Sequence, residues 1–178
     1  MRSFVAIPLT DDAARALAAV QRRLDVGRRV PRDNLHLTLA FLGDQPEETL
    51  GTLHEELLRI HCEPFAISLS GLGQHGRAVH LAVPETPPLT DLHDRINRAV
   101  NRAGISLPRR RFRPHVTIIR LKSGTRLRRL RGEVAGFRYE NMPVDHFALF
   151  ASTLHPEGAR YECLMDYPLT ASRDFAGS

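Results

Sequence analysis

At 178 residues, with 42% apolar and 25% charged content, the chain has the composition of one ordinary globular domain large enough to bury a core. Lys and Arg outnumber Asp and Glu by 25 to 20, and the resulting net charge of +5 favours anionic partners such as RNA or nucleotides. Two cysteines, Cys62 and Cys163, in no CxxC arrangement, give neither a disulfide framework nor a thiolate zinc site. The apolar run from Phe4 to Leu9 is too short for a signal peptide or a membrane span, so a cytoplasmic protein with no membrane contact is expected. A monomer is a separate expectation, which no sequence feature fixes.

In chain order, Ser3 to Leu9 reads as a buried strand closed near its end by Pro8. Thr10 is placed as an N-cap, with Asp11 and Asp12 in the first helical turn and Leu17, Val20 and Leu24 at helical spacing up to about Asp25. Gly27 to Asp33 is a basic connector. A strand follows over Asn34 to Gly43, and a second helix opens at Pro46-Glu47-Glu48 with the stripe Leu50, Leu53, Leu57 and Ile60. Phe65, Ile67 and Leu69 alternate as a half-buried strand, Gly71 to Gly76 reads as a turn, and Ala78 to Val83 as the next strand. A third helix carries Leu89, Leu92, Ile96, Ala99 and Val100. After the basic run Arg109 to Arg113 comes another strand, then a basic loop from Lys122 to Arg131. Phe137 to Tyr139, Val144 to Ala151 and Tyr161 to Leu169 are the last strands, with Ser152 to Gly158 as a connector and a frayed end from Ala171. The order is that of a mixed α+β protein, a single domain over residues 1–178.

One phrase occurs twice, as His36-Leu-Thr38-Leu and, almost half the chain later, as His115-Val-Thr117-Ile. Residues i and i+2 of a strand share a face, so each strand would hold an imidazole and a hydroxyl on one side and apolar residues on the other. The spacing predicts two similar lobes, each contributing one such strand to a shared cleft. Paired imidazoles titrate near neutrality and suit general acid–base catalysis. Displacement at phosphorus needs one proton removed and one delivered, with hydroxyls and a nearby Arg holding the non-bridging oxygens. Neither phrase contains a carboxylate, and no HExxH spacing exists, so neither a metal nor any other cofactor is signalled.

The two phrases resemble the paired signature of the two-histidine phosphoesterase superfamily. Arg2-Ser-Phe4-Val-Ala6, Asn34 to Gly43, Pro114-His115-Val-Thr117-Ile-Ile-Arg120, Gly71-Leu-Gly73 and Ser152 to Tyr161 resemble, within it, the bacterial and archaeal RNA 2′,3′-cyclic phosphodiesterases, also called 2′-5′ RNA ligases. The resemblance implies a bilobal fold, with antiparallel sheets of two pseudo-symmetric lobes facing across a central cleft and helices outside. It implies metal-free hydrolysis of a 2′,3′-cyclic phosphate at an RNA end to a 2′-phosphate, with weak reversible 2′-5′ ligation. His36 would be the acid and His115 the base, with Thr38 and Thr117 binding the phosphate. Arg120 matches the family's Arg, but strict alternation puts it on the face opposite His115, so reaching the phosphate requires a bulge or a strand end there. The chain departs from the family at Gln74-His75-Gly76 and at His80, where Trp is common; base-stacking contacts are open there. Two other readings are weighed: the same chemistry on a small cyclic nucleotide such as ADP-ribose cyclic phosphate, and a non-catalytic RNA-binding module. The matched imidazoles argue against the module.

Overall fold

The computed structural model describes residues 1–122, 134 and 136–170. Its elements are β1 (Arg2–Pro8), α1 (Asp11–Leu24), β2 (Arg28–Arg29), a short 3-10 turn (Arg32–Asn34), β3 (His36–Asp44), α2 (Glu47–Leu58), β4 (Phe65–His75), β5 (Ala78–Ala82), α3 (Pro87–Arg102), β6 (His115–Arg120), β7 (Arg138–Val144), β8 (His146–His155) and β9 (Gly158–Pro168). The α+β class read from the sequence is the class observed. The basic run beyond Lys122, including Arg126, Arg128, Arg129 and Arg131, and the end from Ala171 lie outside the described residues.

Local rules explain most boundaries. Thr10 caps α1, its Oγ1 accepting the Ala13 amide at 3.3 Å. Pro87 opens α3, where its missing amide hydrogen costs nothing, and Leu89, Leu92, Ile96, Ala99 and Val100 are all buried. Two differences from the sequence reading concern strand length. Gly71 to His75 is not a turn: β4 runs on to His75, and the chain reverses at Gly76. Likewise β8 and β9 pair from His146↔Pro168 to His155↔Gly158, so most of the expected connector is strand. In both places Gly, Ser and polar residues resemble turn signals, but neighbouring strands satisfy their backbone groups. The connector from Gly27 also contributes β2.

The nine strands among the described residues join in one antiparallel arrangement, ordered β7-β4-β5-β6-β3-β1-β8-β9 with β2 on β6. On one side of the β3–β6 junction the sheet runs β9-β8-β1-β3 and on the other β6-β5-β4-β7, each series ending inward on a His-x-Thr strand. They are hydrogen-bonded to each other through one residue pair, Leu37↔Val116. Beyond it the strands splay, and β2 takes over the free edge of β6 through Arg28↔Arg120 and Arg29↔Ile119. Leu37 and Val116 are both 0% exposed and join a continuous core with Val5, Ile7, Leu17, Leu53, Leu81, Leu92 and Ile96. Truncating a side chain there, such as Leu37→Ala, costs about 2–5 kcal/mol.

Candidate active site

Pairing Leu37 with Val116 in antiparallel register fixes what lies on the other face. His36 comes opposite Thr117, and Thr38 opposite His115. The two halves of the repeated phrase thus form a square of two imidazoles and two hydroxyls, backed by the buried Leu37–Val116 pair. The structure brings His36, Thr38, His115 and Thr117 together at the junction of the two four-strand halves.

Each histidine is held by the same local device. His36 Nδ1 is 2.6 Å from the Asn34 carbonyl oxygen, and His115 Nδ1 is 2.8 Å from the Arg113 carbonyl oxygen. A carbonyl only accepts, so Nδ1 carries the hydrogen in both rings and Nε2 is left for chemistry. His36 Nε2 faces Thr38 Oγ1 at 2.8 Å. Asn34 has a second task, its Nδ2 donating to the Ala159 carbonyl at 2.8 Å, which ties the β8–β9 hairpin beside the site. Phe4 and Tyr161 flank the His36 ring at centroid distances of 4.9 and 5.3 Å, the latter edge-on. A small cleft beside His36 is lined by Phe4, Pro8, Asp33, Leu35, Phe150 and Tyr161.

Burial above all holds the His36 imidazole below the ordinary histidine value. Its bond to Asn34 opposes this, while the charges of Arg120 and His115 push it further down. That influence places the Arg120 guanidinium within electrostatic reach of His36. Strict alternation would have sent Arg120 to the opposite face; a bulge corrects it. Along β5–β6 the register runs His80↔Thr117, then Val79↔Ile119 and Ala78↔Arg120, skipping Ile118. The extra residue restores Arg120 to the face of His115 and Thr117. Ile118 and Ile119 are consequently both buried.

β3 carries the same irregularity at the same offset. Ala6 pairs with Thr38 and Val5 with Ala40, skipping Leu39. Phe41 thereby occupies on β3 the position that Arg120 occupies on β6, and it is 60% exposed. The repeated phrase is a repeated backbone geometry, six residues long, ending in an aromatic ring on one side and a guanidinium on the other.

His80 also lies on this face, which the sequence reading noted only as a departure from the family. It pairs with Thr117, and its ring centroid is 5.0 Å from that of His115. A Cβ on its cross-strand partner Gly73 would come within 2.6 Å of His80 Nε2, so the glycine leaves room for the ring. Burial first, then the charges of His115 and His75, depress the His80 pKa. Phe4 and Tyr161 had been quoted only as parts of family-like stretches; alternation on β1, with Pro8 opposite His36, is what aims Phe4 at the site.

With this geometry described, comparison with known proteins is specific. The model of the 2′-5′ RNA ligase superfamily matches residues 9–155. An RNA 2′,3′-cyclic phosphodiesterase of Archaeoglobus fulgidus is 30% identical over 179 residues, covering 92% of this chain and 98% of that protein. A Geobacillus stearothermophilus protein of the same name is 34% identical over 132 residues, which is 68% of this chain but 42% of that protein. The crystal structure of Escherichia coli LigT complexed with 3′-AMP superposes with a TM-score of 0.77 at 30% identity, covering 96% of this chain and 98% of LigT. Fold, site strands and sequence agree, and the chain belongs to the 2′-5′ RNA ligase superfamily.

Proposed function

We propose that this protein is an RNA 2′,3′-cyclic phosphodiesterase that opens the cyclic phosphate at an RNA end to a 2′-phosphate without a metal. The observation that carries this reading is the square of His36, Thr117, Thr38 and His115, with both Nδ1 atoms committed to carbonyls. The names of the relatives support the substrate.

In the proposed step, His115 Nε2 takes a proton from water as the water oxygen bonds to phosphorus. The P–O3′ bond breaks, and His36 Nε2 delivers a proton to the departing O3′. Thr38, Thr117 and Arg120 bind the non-bridging oxygens and stabilise their growing charge. Burial keeps free His36 neutral over more of the pH range than an exposed histidine. An entering phosphate anion opposes that and charges the ring, so the acid forms in the complex. A 5′-hydroxyl in the place of water would make a 2′-5′ linkage by the same exchange of protons, so weak reversible ligation is part of the proposal.

The test is substitution of each histidine. His36→Ala and His115→Ala should each lower hydrolysis of a mononucleotide 2′,3′-cyclic phosphate by ~10²-fold or more while the protein stays folded. Thr38→Ala and Thr117→Ala should cost less, since each removes one phosphate contact. Near-normal turnover by either histidine variant would sink the mechanism.

A further inference from the structure

The bulge that turns Arg120 towards the site creates a problem that another residue solves. Skipping Ile118 in the β5–β6 register leaves that buried residue without a partner on β5, and its carbonyl faces the β2 side. A buried carbonyl without a donor is costly, so its partners matter. Two donors reach the Ile118 carbonyl oxygen: the Val30 amide at 2.9 Å and, at 2.8 Å, Nε2 of Gln21. The same Nε2 donates to the Val30 carbonyl at 2.9 Å, so one amide group clamps the residue just after β2 to the bulge.

Gln21 is unusual in α1. It is 5% exposed, one of two buried polar side chains among the described residues, on a helix whose other buried positions are Ala, Leu and Val. Burying a carboxamide costs free energy unless it is hydrogen-bonded, and here both hydrogens are used on one feature. A Leu would fill the position for packing alone. The neighbouring chain shows the same tight fit: Gly27, at φ +66°, approaches the Arg120 carbonyl so closely that a Cβ would lie 2.5 Å from it.

We infer that Gln21 is a positioning residue for the reaction: through the Ile118 carbonyl it holds the β6 bulge that carries Arg120 onto the His36–His115 face. The inference rests on the proposed role of Arg120 at the phosphate. Gln21 touches no reacting atom and acts through the backbone.

A double-mutant cycle tests it. Gln21→Met keeps length and apolar packing but removes both donors; Gln21→Leu is the second variant should Met fail to fold. With a mononucleotide 2′,3′-cyclic phosphate, Q21M should lose about tenfold in kcat/KM, a factor typical of groups coupled in one network. Inhibition by inorganic phosphate should weaken in parallel, because the anion loses the same guanidinium. In an Arg120→Ala background, Q21M should cause no further loss. Losses that multiply would mean that Gln21 supports general packing, and the inference falls. It falls equally if Q21M matches wild type while R120A is impaired. An R120A enzyme near wild-type rate would instead remove the substrate role of Arg120, and with it anything for Gln21 to position.

Discussion

At the scale of single residues, the site rests on one repeated economy: a histidine whose Nδ1 is bound by the carbonyl two residues earlier in its own chain. No distant partner is needed to fix the tautomer, so each phrase is oriented by itself and the two residues before it. The electrostatics break the symmetry. His36 is more deeply set, and Arg120 and His115 add positive charge near it. Its pKa, followed by NMR of the imidazole in the free enzyme, should therefore lie below the ordinary value of about 6.5. Removing the Arg120 charge should raise it, since a like charge disfavours imidazolium. The same titration in the presence of phosphate should also move it upward. No change in R120A would mean that the guanidinium points away from His36.

Among elements, the two bulged strands show how much of the site could be read in advance. The alternation of His36-Leu-Thr38 and its echo at His115 was legible because the core-facing Leu37 and Val116 leave the polar residues one face to occupy. The turn of Arg120 onto that face was not, because a bulge is set by neighbours: the β5–β6 register skips Ile118, and Gln21 and Val30 donate to its carbonyl from the other side. Nothing local to Ile118-Ile119 announces this, although Gln21 interrupting an apolar helical stripe was a signal available for the taking. The extension of β4 through Gly71 and Gly73 was hidden for a similar reason: cross-strand neighbours override weak local propensity, and Gly73 is there to clear the His80 ring. By contrast the Thr10 cap was read directly, since the N-cap, the acidic first turn and the apolar spacing agree. Thr10→Ala should lower stability by about 1 kcal/mol in chemical denaturation and leave kcat unchanged, because α1 packs behind the site. A loss of kcat at full stability would tie the start of α1 to the reaction.

Over the whole molecule, the basic balance and the half-buried histidines bear on solution behaviour. The exposed Arg109 to Arg111 and Arg113 precede β6 directly, and under the proposed function they would attract the RNA strand, so binding of an RNA end should weaken as salt rises. Turnover of a mononucleotide should respond to salt much less. His36, His80 and His93 all have pKa values lowered mainly by burial, and His93 is stacked 3.7 Å from Phe112. The unfolded chain therefore binds protons at these positions before the folded one does. By linkage, stability present above the unfolded histidine pKa is lost as pH falls through about 6.5 and towards the lowered folded values. The melting temperature should fall between pH 7.5 and 5, and replacing His93 with Phe should flatten the slope. A melting temperature that rises on acidification over that range would contradict the assignment of these rings as buried and neutral. Among the described residues, no helix is long and apolar enough to cross a membrane.

The central claim is that two histidines from two half-sheets open a cyclic phosphate towards the 2′ position without a metal. It is tested most directly by incubating the purified enzyme, exhaustively treated with EDTA, with an oligonucleotide ending in a 2′,3′-cyclic phosphate and locating the phosphate in the product. The account predicts a 2′-phosphate, formed at an undiminished rate after chelation and lost in both His36→Ala and His115→Ala. A 3′-phosphate product, or activity that vanishes with EDTA and returns with Zn²⁺ or Mn²⁺, would contradict it.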